Sequence, residues 1–342
     1  MLLTDSELFS YIEQSNIAGR TTFFVASGEI SGDSNLFLEF SKFTSSVFLS
    51  FSNLSDQSFN SRDLVIFVNI DNPFPFTSYL SAHPLPCQTI LYTLYHPRAG
   101  IIELFLYKNC KLVLPRFLTS ALPLEYFYNL FKYFPYLYSF SPCQILRHLL
   151  HPLDVIANRF SFLCCASFVE AQAVATFTSL PPKNILLQSH LPLASPHEFC
   201  NITHPNPFFL TVGRAESRKN LLNLVKIVPS FPDYDFIIVS STSLREPTII
   251  EMLRLFSNSC PNLFLFEDLS TDQIYYLIKS CFCVVNASYF EVLSLIDVTA
   301  ISLSVPLITS SNSYIPSHSS VFFHYPANSS SLSAAITTFL DK

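Results

Sequence analysis

The sequence predicts an α/β fold of two domains, each built on a parallel sheet. Short β-rich apolar runs alternate with helix-length periodic segments along the chain, the pattern of strands joined by crossover helices rather than hairpins. The length of 342 residues suits two cores better than one. Residues 192–207 carry Pro192, Pro196, Pro205 and Pro207 among His, Asn and Ser without periodicity, and read as a linker. The expected domains are therefore residues 1–191 and 208–342, with a cleft between them of the kind where such folds bind ligands.

In the first domain, Thr4 to Glu7 suits a capping box opening a helix. Runs rich in Val, Ile, Phe, Tyr and Thr mark strands at 21–27, 47–51, 64–69, 89–94, 111–114, 136–140, 160–164 and 184–188. Helical periodicity falls between several of them, at 33–43, 100–109 and 168–178. The second domain repeats the alternation more clearly. Its strands are expected at 208–212, 236–240, 262–266, 281–286, 306–310 and 321–324. Its helices are expected at 218–228, 248–256, 271–279, 295–303 and 331–340.

Composition excludes several functions. The formal net charge of −6 argues against a nucleic-acid partner, because phosphate-backbone binding rests on an excess of Lys and Arg. Nine scattered cysteines make neither a disulfide framework nor a metal site, and suit a reducing cytoplasm. Cys281 and Cys283 fall in a buried strand pattern, where thiols act as small apolar groups. The start of the chain carries Asp5 and Glu7 rather than a basic leader, and no apolar run approaches a membrane span. The aromatic stretch 122–140 packs inside the first domain or touches a membrane surface peripherally; Lys132 is its one basic residue. The chain holds 35 Phe but only 5 Gly, so Ser and Asn must fill most turns that glycine usually takes.

Two segments carry the chemistry. Val212-Gly213-Arg214-Ala215-Glu216-Ser217-Arg218-Lys219-Asn220 follows an apolar strand and enters a helix. Gly213 lets the backbone turn sharply, and Arg214 and Lys219 are spaced to face one anion, such as a diphosphate. Ser288-Tyr289-Phe290-Glu291 follows a later strand and sets a carboxylate at its mouth, suited to sugar hydroxyls.

In order and spacing these segments resemble the retaining glycosyltransferases of family 4, over most of residues 160–342. The first looks like that family's Gly-Arg…Lys turn and Glu291 like the first glutamate of its Glu-x7-Glu motif. Ala300 and Pro306-Leu307-Ile308 fit the pattern that follows. Asn262 to Phe266 with Ser270 to Leu277, and Ser167 to Ala171, match further stretches. The resemblance implies a GT-B fold, two facing Rossmann-like domains. It implies transfer of a hexose from a nucleotide diphosphate sugar to a glycan or lipid-linked acceptor, as in cell-envelope polysaccharide assembly. Reaction would be with retention and without metal or other cofactor. Gly213, Arg214 and Lys219 would bind the diphosphate and Glu291 the sugar.

The family's second glutamate, which would clamp the ribose hydroxyls, is replaced by Thr299. One hydroxyl does not match a carboxylate accepting two hydrogen bonds, and the change is expected to cost about 1.5–3 kcal/mol of nucleotide affinity. Val292, Ser294 and Ser304 stand where the family commonly has glycine, and Ser294 would crowd the phosphates. A second reading therefore stays open: a weakened relative that binds a sugar, a nucleotide or a protein.

The first domain carries fainter marks. His96-Pro97 resembles a segment after an acceptor-domain strand, where His96 would position the acceptor hydroxyl or the sugar. Gly28-Glu29-Ile30-Ser31-Gly32-Asp33 locally resembles a loop of lipid A disaccharide synthase, another GT-B enzyme.

Overall fold

A computed structural model describes residues 21–26, 46–50, 54, 57–68, 84–92, 160–177, 185–188, 192–196, 204–243, 246–326 and 328–342. His96, the 27–33 turn, the 122–140 stretch, the Thr4–Glu7 box and the expected elements at 33–43, 100–109, 111–114 and 136–140 lie outside them. The described residues fall into two compact units divided between residues 190 and 191, so the described linker residues belong to the second.

The first unit holds a parallel sheet of β1 (Thr22–Ala26), β2 (Ser46–Ser50), β3 (Leu64–Val68), β4 (Gln88–Tyr92), β5 (Phe162–Cys165) and β6 (Ile185–Leu187), in the order β2-β1-β3-β4-β5-β6. β1 lies between its two neighbours, with Phe24 opposite Phe48 and Ile66. Helix α1 (Phe168–Phe177) follows β5. Its start is closed locally: Glu170 N–H donates to Ser167 Oγ, and Ala166 N–H donates to the buried Glu170 carboxylate at 2.6 Å. The first bond satisfies an amide that the first helical turn leaves unpaired, and the second ties the preceding residues to that turn.

The second unit contains β7 (Phe208–Val212), α2 (Leu221–Ile227), β8 (Asp235–Ser240), α3 (Pro247–Ser259), β9 (Leu263–Glu267), α4 (Thr271–Ser280), β10 (Cys283–Val285), α5 (Leu295–Ser302), β11 (Leu307–Ser310), β12 (Val321–His324) and α6 (Ser329–Leu340). The sheet is parallel in the order β12-β11-β10-β7-β8-β9. Every residue of β8 is buried, as expected of a strand covered on both faces. The core packs Phe209, Phe236, Ile238, Leu253, Val285 and Ile336 between sheet and helices. Cys283 belongs to it too, and burial pushes the Cys281 thiol up to about 12, so these thiols act as apolar filler.

From β7 the chain steps to β8 on one side, and β10 later pairs with β7 on the other. The reversal puts a topological switch point between β7 and β10, and open α/β sheets bind ligands at the carboxyl ends of strands there. The described linker is pinned at the opposite strand ends, where Asp235 Oδ2 meets His204 Nε2 at 2.7 Å and accepts from Asn206 Nδ2 at 2.8 Å.

Three non-glycine residues take left-handed backbone among those described: Asn220 at φ 56°, Asp268 at φ 53° and Ser304 at φ 57°. They do the work expected of glycine in a chain that has so little of it.

Candidate functional site

The loops after β7 and β10 meet at the switch point. Beyond β7, Gly213 N–H bonds Val239 O and Ala215 N–H bonds Ser241 O, which extends the pairing with the β8 side past the strand. Residues Ser217–Lys219 then form a single 3₁₀ turn. Ser217 donates both its backbone N–H and its hydroxyl to Glu246, each at 2.6 Å, which fixes the turn against the start of α3. The continuous helix expected at 218–228 is interrupted at Asn220. Its left-handed backbone redirects the chain, and its side-chain amide donates to Ala287 O at 3.0 Å and Pro326 O at 2.8 Å.

This break decides which cations meet. Successive side chains of a 3₁₀ turn point about 120° apart. Despite that divergence, Arg218 and Lys219 take one oxygen each of Glu291, Arg218 Nη1 reaching Oε2 at 3.0 Å and Lys219 Nζ bonding Oε1. Tyr289 N–H donates to Arg218 O at 2.8 Å, which locks the two loops together. Arg214 does not join this cluster. Its side chain is 53% exposed, and its Nε lies 3.3 Å from Glu216 Oε1.

Gly213 has a role in this arrangement that differs from a bare turn. A Cβ built there would lie 3.2 Å from Lys219 Cδ and 3.4 Å from its Cγ. The lysine stem crosses the glycine on its way to Glu291.

Glu291 is buried, and its backbone N–H donates to Asn312 O. Burial alone would push its carboxyl up. Arg218 and Lys219 outweigh that and, with the Ser288 hydroxyl at 2.8 Å, hold it well below the usual carboxylate range. A carboxylate offers about four acceptor positions. Lys219 and Ser288 occupy two on Oε1 and Arg218 one on Oε2.

Ser294 is the N-cap of α5, its hydroxyl accepting from Asp297 N–H at 3.4 Å. Thr299 lies one turn on and is fully buried. Its hydroxyl donates to Leu295 O at 2.7 Å and accepts from Leu193 N–H of the linker at 2.9 Å. Both bonding directions of that hydroxyl are thus used within the protein.

Two participants escaped the sequence. The motif spacing points to Arg214, but it is Arg218 of the same motif that meets Glu291. Asp297 is fully buried in the first turn of α5, and its carboxyl is pushed up to about 6 by burial and by Glu291. Its signal in the sequence is an acid inside an otherwise apolar helix, Leu295-Ile296-Asp297-Val298.

No protein-family model matches the chain, and no curated protein does. Solved structures match along nearly the whole length. Sucrose-phosphate synthase from Thermosynechococcus elongatus aligns over 94% of this chain and 90% of its own, at 11% identity and TM-score 0.62. An α,α-trehalose-phosphate synthase (UDP-forming) from Burkholderia xenovorans, in complex with glucose-6-phosphate, aligns over 94% and 92%, at 9% identity and TM-score 0.61. A glycosyltransferase from Rickettsia africae aligns over 95% and 89%, at 13% identity and TM-score 0.59. At these identities the likeness is one of fold, and the fold of this chain is the GT-B fold of glycosyltransferases.

Proposed function

We propose that the protein is a glycosyltransferase, a divergent member of family 4. It moves a hexose from a nucleoside diphosphate sugar to a glycan or lipid-linked acceptor, with retention and without a metal or other cofactor. One observation carries this reading: Lys219 and Arg218 from one loop meet Glu291 from another at the switch point of the second sheet.

In this reading the donor diphosphate lies against Lys219 and Arg218, with Arg214 at the exposed rim. The bond from the anomeric carbon to the diphosphate oxygen breaks, and the cations stabilise the charge that grows on the leaving phosphate. The acceptor oxygen bonds that carbon on the face being vacated. Its proton passes to the departing phosphate oxygen, so no separate base is needed. Glu291 stays ionised, and its remaining acceptor position on Oε2 takes a sugar hydroxyl. Residues 208–342 hold the donor and residues 1–191, with His96, the acceptor.

A specific observation favours a second reading, a weakened relative that binds a sugar nucleotide without turning it over. The Thr299 side chain is fully buried, and its hydroxyl already bonds Leu193 and Leu295 within the protein. Incubation with UDP-, GDP- and ADP-glucose, followed by NMR of the released sugar, tests the two. Slow release of the α-anomer, lost in Lys219→Ala, supports transfer with retention. Binding without release supports the second reading, and neither binding nor release from folded protein removes both.

A further inference from the structure

Behind Glu291 lies a second carboxylate that the proposed chemistry does not use. Asp297 is fully buried, and among the described residues no Lys or Arg pairs with it. Both of its oxygens accept from Asn286 Nδ2 at 2.9 Å, and Oδ2 also accepts from Thr309 Oγ1 at 2.9 Å. A buried carboxylate without a cation is costly, and an apolar side chain would suit this helix face better.

What the carboxylate achieves is the orientation of an amide. Asn286 can present either end of its side chain to a neighbour, but Asp297, when ionised, only accepts. It holds the Nδ2 end and leaves Oδ1 to take Ser288 N–H at 3.2 Å. Ser288 in turn donates its hydroxyl to Glu291 Oε1 at 2.8 Å. The Asn286 backbone is held as well, its carbonyl lying 2.9 Å from His324 Nε2 of β12. An unbroken line of hydrogen bonds therefore runs from the start of α5, through the end of β10, to the carboxylate that Lys219 and Arg218 grip from the other side.

We propose that Asp297 is a positioning residue that sets the Glu291 carboxylate through Asn286 and Ser288, and so governs how the donor's sugar is held. The proposal rests on Glu291 facing that sugar. Asp297 makes no hydrogen bond to Glu291; besides the repulsion between the two charges, it reaches that carboxylate through the line. Its loss should therefore be felt by the sugar and not by the diphosphate.

Two variants separate this from plain structural support. Asp297→Leu removes the acceptor and frees the Asn286 amide to turn. The exchanged pair Asn286→Asp with Asp297→Asn keeps the line: the new carboxylate accepts from Ser288 N–H and from the new amide, whose oxygen still accepts from Thr309. Binding of UDP-, GDP- and ADP-glucose is measured beside UDP, GDP and ADP, below the melting point of each variant. Losing one hydrogen bond at Glu291 should weaken the sugar nucleotide roughly three- to tenfold. The nucleoside diphosphate should hold steady, and the exchanged pair should return to the parent's values. Equal weakening of both ligand types, or no recovery in the exchanged pair, overturns the proposal.

Hydrogen exchange at the Ser288 amide gives a readout free of ligand. It should quicken in Asp297→Leu and return in the exchanged pair; unchanged exchange overturns the line itself. If the parent binds none of the nucleotides, the donor reading falls and the role in holding the sugar falls with it, while exchange still decides the line.

Discussion

Replacing Lys219 by methionine probes the centre of the site. The thioether chain keeps the stem that crosses Gly213 and removes the ammonium that grips Glu291. Side-chain exposure is 9% for Glu291 and 16% for Lys219, so the pair is largely out of water. Removing one partner of a buried ion pair costs roughly 3–5 kcal/mol, because the other charge stays buried. Glu291 keeps Arg218 and Ser288, which lowers the expected loss to about 2–3 kcal/mol. For a unit of this size that is a fall in Tm of about 5–10 °C. The decisive assay is a double-mutant cycle with Glu291→Gln, followed by urea unfolding. The double variant no longer leaves the Glu291 charge buried without its lysine, so it should be more stable than the sum of the single losses implies, by about 2 kcal/mol. Additive losses, within about 0.5 kcal/mol, would mean that Lys219 and Glu291 do not form the pair described here.

Other predictions test the surrounding structure. Ser304 holds a left-handed conformation at the end of α5, so Ser304→Gly should raise stability by about 0.5–1 kcal/mol, the strain relieved less the entropy of glycine; a loss would contradict that backbone. Gly213→Ala should leave stability within about 1 kcal/mol, yet weaken sugar-nucleotide binding several-fold, because the new methyl displaces the Lys219 stem; unchanged affinity would count against its path over Gly213.

Stability should also depend on pH through Asp297. Its carboxyl is raised from 3.8 to about 6, so the folded state binds this proton more tightly than the unfolded chain does. The group therefore subtracts stability as pH rises between those values, by about 2 kcal/mol from pH 4.5 to 7. Burial lowers His324, which acts with the opposite sign as pH falls through its ordinary value. Lowered Glu291 supplies stability that is present above its ordinary value and lost as pH falls below it. Lys219 is the cation acting on Asp297. The quantity to measure is thus the parent's unfolding free energy minus that of Asp297→Asn, which should fall across pH 4.5 to 7; a flat difference would contradict the raised carboxyl.

The alternation of apolar runs and helical segments made the second unit legible, since β7, β8, β10 and β11 are buried almost throughout, a burial that few other structures tolerate. The meeting of the Gly213–Asn220 turn with Glu291 was legible as motif spacing. The choice between Arg214 and Arg218 was not. It depends on Asn220 taking a left-handed conformation, and that is stabilised by carbonyls of Ala287 and Pro326, far away in sequence. Asp297 was hidden for a similar reason. An acid in the first turn of a helix ordinarily faces water, and only the packing of α5 against β11 and the turn after β10 brings it inward to Asn286 and Thr309. The bond between Thr299 and Leu193 joins a helix to a linker with no regular pattern, and periodicity carries no information about such a contact.

The measurement that bears most directly on the proposed function is calorimetric titration of the purified protein with UDP-, GDP- and ADP-glucose, repeated with Arg218→Met and Lys219→Met. We expect one nucleotide sugar to bind to the parent and to bind at least tenfold more weakly to each variant, a loss of about 1.4 kcal/mol or more. Binding that survives both substitutions unchanged would contradict the assignment of this cluster as the donor site.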